Sequence, residues 1–119
     1  MGRGLKGLSG ESRLRKAHEF RHVRARGRRV VSEAFLLVEA EKPEGEIPRL
    51  GMVVSRKVGK AVVRNALKRG IREWFRLEGR ELLSSSDFVV VARKTATKLT
   101  SLEIREYLSG QLRSSRRSA

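Results

Sequence analysis

One segment constrains this chain more than any other, residues 59–76, with the sequence GKAVVRNALKRGIREWFR. Successive residues on an α-helix turn by about 100°, which places the apolar residues on one stripe and the basic residues on the adjoining arc. Only Glu73 adds a negative charge. The pattern predicts an amphipathic helix with one face in the core and a cationic face at the surface. The stripe contains Val63, Leu67, Ile71 and Trp74, and the arc contains Arg64, Asn65, Lys68, Arg69, Arg72 and Arg76.

The cationic face is unfavourable for an isolated chain. Like charges four residues apart, such as Arg64, Lys68 and Arg72, destabilise a helix by about 0.2–0.5 kcal/mol per pair. The 119 residues include 28 Lys and Arg against 13 Asp and Glu, a formal net charge of +15. Such a surplus is typical of chains that bind a polyanion. Nucleic acid is the expected partner, and an anionic membrane surface is the second option.

Composition narrows the class of protein further. The length suits one domain with one modest core. No apolar run approaches the ~20 residues of a membrane span, and the N-terminus lacks the apolar region of a signal peptide. Cysteine is absent, which excludes disulfide scaffolds and Cys-based zinc sites. We therefore expect a cytoplasmic protein with no membrane partner.

Candidate catalytic groups are sparse. Hydrolysis of a phosphodiester by a protein needs carboxylates on two metal ions or a pair of histidines. The chain has one aspartate, Asp87, and its glutamates are scattered among cations. His18 and His22 are four residues apart but have no third ligand in sight, so surface or RNA-facing histidines are favoured over a metal pair. We expect no catalytic residue and no metal site in the protein.

Periodicity predicts helices at about residues 12–27, 59–76 and 100–113, and strands at 33–41, 49–58 and 87–94. A short additional strand is expected near Lys57. Helices on one face of a small sheet, an α+β two-layer sandwich, fit this order. The division is a flexible basic arm at 1–12, a domain at 13–113 and a disordered basic tail at 114–119.

The segment RLGMVVSRKVGKAVVRNALKRGIREWFR resembles the signature of the protein subunit of bacterial ribonuclease P. The resemblance extends over about residues 13–113, because LRKAHEF resembles the first helix of that family and DFVVVARKTATKLT its penultimate strand. Three positions depart from the family pattern. Ala66 stands where an arginine is common, and Arg24 and Val38 stand where aromatic residues are common. The signature residues are Lys57, Gly59, Lys60, Ala61, Arg64, Asn65, Lys68, Arg69 and Arg72.

The resemblance implies a ribosomal-protein-like domain with a small mixed sheet and a left-handed βαβ crossover. It also implies a subunit of the ribonucleoprotein endonuclease that removes the 5′ leader from precursor tRNA. The catalytic RNA subunit holds the Mg²⁺ ions and performs the hydrolysis, and no protein partner is required. The protein binds that RNA through its signature helix and the single-stranded leader in a cleft between the first helix and the sheet. It thereby raises affinity for substrate and Mg²⁺.

The resemblance assigns two sets of contact residues. For Phe20, base stacking and a core position are equally supported, and for Phe35 a core position is favoured. Arg24 is expected to contact a phosphate, although a solvated helix residue is nearly as well supported. The RNA-subunit contacts are Arg56, Lys57, Lys60, Arg64, Asn65, Lys68, Arg69 and Arg72. The leader contacts are Arg13, Phe20, Arg24, Phe35, Val38, Arg93 and Lys94.

Two other functions fit the charge. A ribosomal or assembly-type RNA-binding protein without an enzymatic role is the main alternative. A DNA-binding module with the basic helix in a major groove is weaker, because the pattern indicates phosphate contacts rather than base readout.

Overall fold

The computed structural model describes residues 13–83 and 85–118, which form a mixed four-stranded sheet with helices on both faces. The strand order is β1-β2-β4-β3, in which β4 pairs antiparallel with β2 and parallel with β3, and β1 pairs antiparallel with β2. The predicted α+β class with a small mixed sheet is confirmed. The elements are α1 (Ala17–Arg26), β1 (Arg28–Val31), β2 (Phe35–Glu41), β3 (Arg49–Val53), α2 (Ala61–Trp74), a π-helical turn (Phe75–Gly79), α3 (Arg80–Leu83), β4 (Ser86–Ala92), a 3₁₀ turn (Lys94–Lys98) and α4 (Ser101–Ser118).

The main core lies between the sheet and the pair α2 and α4. Trp74 is fully buried and packs against Phe88 of β4, with ring centroids 5.6 Å apart. Its indole Nε1 donates a hydrogen bond to Ser109 Oγ at 2.9 Å, and Ser109 in turn donates to Glu78 Oε1. Gly70 lets α4 approach closely, because a Cβ at this position would lie 2.9 Å from Ile104 Cδ1. The predicted core position of Trp74 is confirmed.

A second, smaller core lies between α1 and the opposite face of the sheet. Val23 of α1 is fully buried with Val38 and Val89. The ring of Phe20 lies against Gly51, where an added Cβ would come within 2.6 Å of a ring carbon. The expectation that all helices pack on one face is therefore wrong for α1. Strand β4 reads as a continuous apolar run because both of its faces are covered.

A charged network fastens α1 to the sheet. Arg49 donates to both carboxylate oxygens of Asp87, at 2.7 and 2.9 Å, and to Glu19 Oε2 at 2.8 Å. Lys42 Nζ lies 2.9 Å from Asp87 Oδ1. The backbone N–H groups of Lys16 and Arg15 donate to Glu19 Oε1, and these bonds together with Arg49 lower the pKa of Glu19 to about 2.

Other elements also differ from the prediction. Strand β1 was not expected, and the short strand expected near Lys57 is absent because residues 56–58 form a turn. Helix α4 continues to Ser118, so residues 114–118, expected to be a disordered tail, are helical. The expected arm at 1–12 lies outside the described residues.

Candidate nucleic-acid interface

The turn between β3 and α2 presents three cations beside the start of α2. Val54 and Val58 are buried in the main core and fix this turn, while Arg56, Lys57 and Lys60 remain exposed. Helix α2 begins after Lys60, whose side chain makes no capping hydrogen bond, and its first turn contains no acidic residue. The backbone N–H groups at a helix start favour negative charge, so this end of α2 suits an anionic partner.

Five further signature residues lie on the outer side of α2, three of them half-buried and two exposed. Arg64, Lys68 and Arg72 are half-buried along one edge of the helix, and Arg64 Nε donates to the carbonyl oxygen of Gly59 at 3.1 Å. The outward crest carries Asn65 and Arg69, both exposed. The predicted division of α2 into an apolar stripe and a cationic arc is confirmed, since Leu67 and Ile71 are buried.

The half-buried edge of α2 meets α1 and β3 at a cavity of about 440 Å³. The chain just before α1 closes one side, because Leu14 N–H donates to the carbonyl oxygen of Leu50 at 3.0 Å. Burial lowers the pKa of Arg72, and the nearby charges of Arg13 and Arg69 lower it further. The cavity is therefore strongly cationic, with an aromatic side chain in its wall. Its lining residues are Arg13, Leu14, Phe20, Leu50, Met52, Lys68 and Arg72.

An apolar row crosses the sheet on the face that α1 covers only in part. Strand register aligns Val31 with Leu36, Leu36 with Val91, and Val91 with Val53. Val31 is 59 % exposed and the other three are half-buried. This row was not predicted. The alternation of side chains in the strands was its only signal, and pairing register is not visible in one sequence.

The structure leaves one group of the predicted leader-binding residues accessible and encloses the other in the cores. Arg24 follows Phe20 by four residues and therefore lies on the same side of α1, where it is exposed. Arg93 and Lys94 are exposed directly after β4. Arg93 stands two residues after Val91, which is the β4 residue of the apolar row. Of the four exposed cations in the predicted leader set, Arg13 lines the cationic cavity.

The structure removes Phe35 and Val38 from the predicted leader contacts, since both side chains are 0 % exposed. Phe35 projects into the main core, where its ring lies 6.2 Å from that of Tyr107. Val38 lies beneath α1 in the second core. Side chains alternate along β2, so these two positions, three residues apart, face opposite sides of the sheet and are covered by different helices.

The described part of the chain shows no cluster of three or more His, Asp or Glu residues that could hold a metal ion. Burial opposes ionisation of Asp87, but hydrogen bonds from Arg49 and Lys42 outweigh it and lower the pKa. Its carboxylate thus serves the network that holds α1.

Within residues 13–83 and 85–118, no helix has the length and apolar character needed to cross a membrane.

Comparison with known proteins gives one consistent family. The family profile described as Ribonuclease P matches residues 8–115. The ribonuclease P protein component of Bacillus pumilus is 38% identical over 104 residues, which is 87% of this chain and 87% of that protein. The corresponding protein of Desulfatibacillum aliphaticivorans is 44% identical over 84 residues, covering 71% of this chain and 70% of that protein.

Solved structures agree with the sequence comparison. The RNase P protein of Staphylococcus aureus superimposes with a TM-score of 0.79 at 34% identity, covering 87% of this chain and 94% of that one. The RNase P protein of Thermotoga maritima gives a TM-score of 0.72 at 34% identity, covering 85% of this chain and 96% of that one.

Proposed function

This chain belongs to the ribonuclease P protein family, and from that premise we propose how it serves the enzyme: it holds RNA on two connected surfaces and leaves the hydrolysis to the RNA subunit. A ribonuclease P protein component is a subunit of a tRNA-processing ribonuclease. Family membership decides against the ribosomal and DNA-binding alternatives. The two surfaces are the exposed side of α2 with its preceding turn, and the cleft between α1 and the sheet.

The first surface binds the RNA subunit. Arg64, Lys68 and Arg72 lie along one edge of α2 and are half-buried, and the carbonyl oxygen of Gly59 holds the Arg64 guanidinium at the helix start. A row of pre-positioned cations suits consecutive phosphates of folded RNA, and each neutralised phosphate releases counterions. Arg56, Lys57, Lys60, Asn65 and Arg69 extend the same surface.

The second surface binds the single-stranded leader of precursor tRNA. The observation that carries this proposal is the cavity where Arg13 and the ring of Phe20 meet Lys68 and Arg72, the two cations that this site shares with the first surface. Single-stranded RNA is commonly held by a cationic groove with an aromatic platform. From this cavity the leader passes over the apolar row toward Arg93 and Lys94, with Arg24 on the α1 side.

The catalytic Mg²⁺ ions are assigned to the RNA subunit. In the described part of the chain the acidic groups near the interface are engaged with cations, as Glu19 and Asp87 are with Arg49, and the interface itself is lined by Lys and Arg. Metal ions of this kind stabilise the attacking and leaving oxygens in phosphodiester hydrolysis. The protein lowers the repulsion between RNA phosphates and thereby raises affinity for substrate and Mg²⁺.

A reconstitution assay tests the proposal. Nuclease-free protein is added to a bacterial ribonuclease P RNA transcribed in vitro, and cleavage of a precursor tRNA is followed at a Mg²⁺ concentration where the RNA alone is slow. We expect faster cleavage at the correct 5′ junction. No gain over RNA alone would contradict RNA binding, and correct cleavage by the protein without RNA would contradict the assignment of catalysis.

A further inference from the structure

One part of the exposed surface of α2 is apolar. Val62 is 81 % exposed, the largest fraction for any large apolar residue in the described part of the chain. Ala66, one turn further along, is also exposed. Residues four apart on a helix are neighbours, so Val62 and Ala66 form an apolar strip beside the exposed Asn65 and Arg69.

Folding does not explain this strip. Val62 contributes nothing to either core, and a β-branched residue on an exposed helix surface is slightly less favourable than alanine or lysine. Among the other exposed and half-buried positions of α2, those at 64, 65, 68, 69, 72 and 73 are polar, and the apolar ones are Ala61 and Val63. A surface used only for long-range attraction to phosphates gains nothing from short apolar side chains at its border.

We propose that the Val62–Ala66 strip packs directly against ribose surfaces of the RNA subunit, an inference that rests on the proposed function of α2. The minor groove of helical RNA is wide and shallow and displays its riboses. Short side chains at 62 and 66 let the helix backbone approach that surface closely. The longer side chain of Arg69 reaches phosphates on its border, so shape and charge act on the same docked face.

The test adds bulk at one position of the strip and removes apolar contact at the other. Ala66→Leu adds bulk without charge and should weaken binding to a bacterial ribonuclease P RNA at least tenfold. Val62→Ala removes apolar contact and should weaken binding about threefold to tenfold. Because neither change removes a cation, the slope of log affinity against log salt should remain that of the wild type. Ala25→Leu, the same change at an exposed position of α1, should have no effect.

Hydroxyl-radical footprinting of the RNA gives a second measurement. Riboses protected by the wild-type protein should become accessible with Ala66→Leu at saturating concentration. Wild-type affinity for both α2 variants, with unchanged protection, would overturn the inference and leave the proposed function intact. A wild-type protein that shows no salt-dependent binding to this RNA would instead contradict the proposed function itself.

Discussion

At the scale of single residues, Phe20 connects the fold to the proposed leader site. Its ring is half-buried and packs against Gly51, yet it also lines the cationic cavity. The sequence left a core position and a stacking role as alternatives, and this placement makes the core position compatible with the proposed stacking role. One side of the ring closes the second core, and the cavity side remains available to a base.

Replacing Phe20 by leucine should separate these roles, because leucine keeps apolar packing but removes the aromatic face. Base–aromatic stacking is worth about 1–3 kcal/mol per base, so we expect a precursor tRNA with a leader to bind about fivefold more weakly. Affinity for mature tRNA should not change. Phe35→Leu is the matched control, since Phe35 is fully buried and should leave the ratio of the two affinities unaltered. An equal loss for both tRNAs would contradict a leader contact.

Phe35 and Val38 show that the sequence can predict a strand without predicting which helix covers each of its faces. Each is apolar and each lies in a predicted strand, so the sequence could identify the strand but could not tell which side of it α1 covers. That choice depends on how the second core closes over Val23 and Val89, which is a tertiary contact. The resemblance supplied contact positions for the leader, and the structure shows that these two are enclosed.

At the scale of elements, α2 was predictable because its two periodic patterns agree. The apolar stripe sets its orientation on the sheet, and the cationic arc follows from that orientation. Strand β1 was missed because four residues, two of them arginines, give too short a pattern, and its pairing with β2 stabilises it. The position of α1 was missed because the continuous apolar run of β4 indicates two covered faces but does not show which helix covers which face.

The half-buried edge of α2 should dominate the salt dependence of RNA binding. With Arg64, Lys68 and Arg72 all changed to alanine, up to three phosphate contacts are lost, and the salt slope should fall by about 2–3. Equilibrium binding to ribonuclease P RNA over a range of KCl concentrations measures this. The exposed cations Arg80 and Arg113 serve as controls, and their replacement by alanine should leave the slope almost unchanged. An identical slope for the triple variant would contradict the contact surface.

The attachment of α1 to the sheet should depend on pH. The pKa of Glu19 is lowered from 4.5 to about 2, so its contribution to stability is complete above pH about 4.5 and is lost as pH falls toward 2. We expect Glu19→Gln to lower the free energy of unfolding by about 1–2 kcal/mol at pH 6, after allowance for solvent screening. Urea unfolding of both proteins between pH 6 and pH 2 measures the difference, which should vanish at the acid end. A constant difference would contradict an ionised Glu19 in the network.

At the scale of the whole molecule, repulsion within the net positive charge lowers the stability of the folded state. A formal charge of +15 on 119 residues favours expansion, while two small cores and one partly buried charged network favour the native state. Charge also accumulates at one site, since Arg13, Lys68 and Arg72 converge on one cavity. The sequence could predict the surplus of charge and the helix that carries it, but this convergence required the packing of α1, β3 and α2.

Because these cations come together only in the native state, an anion that bridges them should stabilise folding by mass action. A hundredfold excess of ligand over its dissociation constant adds about 2.7 kcal/mol. We expect sulfate to raise the free energy of urea-induced unfolding more than chloride does at equal ionic strength, since general screening is then matched. Lys68→Ala should reduce this sulfate-specific gain, whereas Arg113→Ala, which removes an exposed cation of α4, should preserve it. Equal stabilisation by both salts would mean that the cavity holds no anion and that self-repulsion is relieved by screening alone.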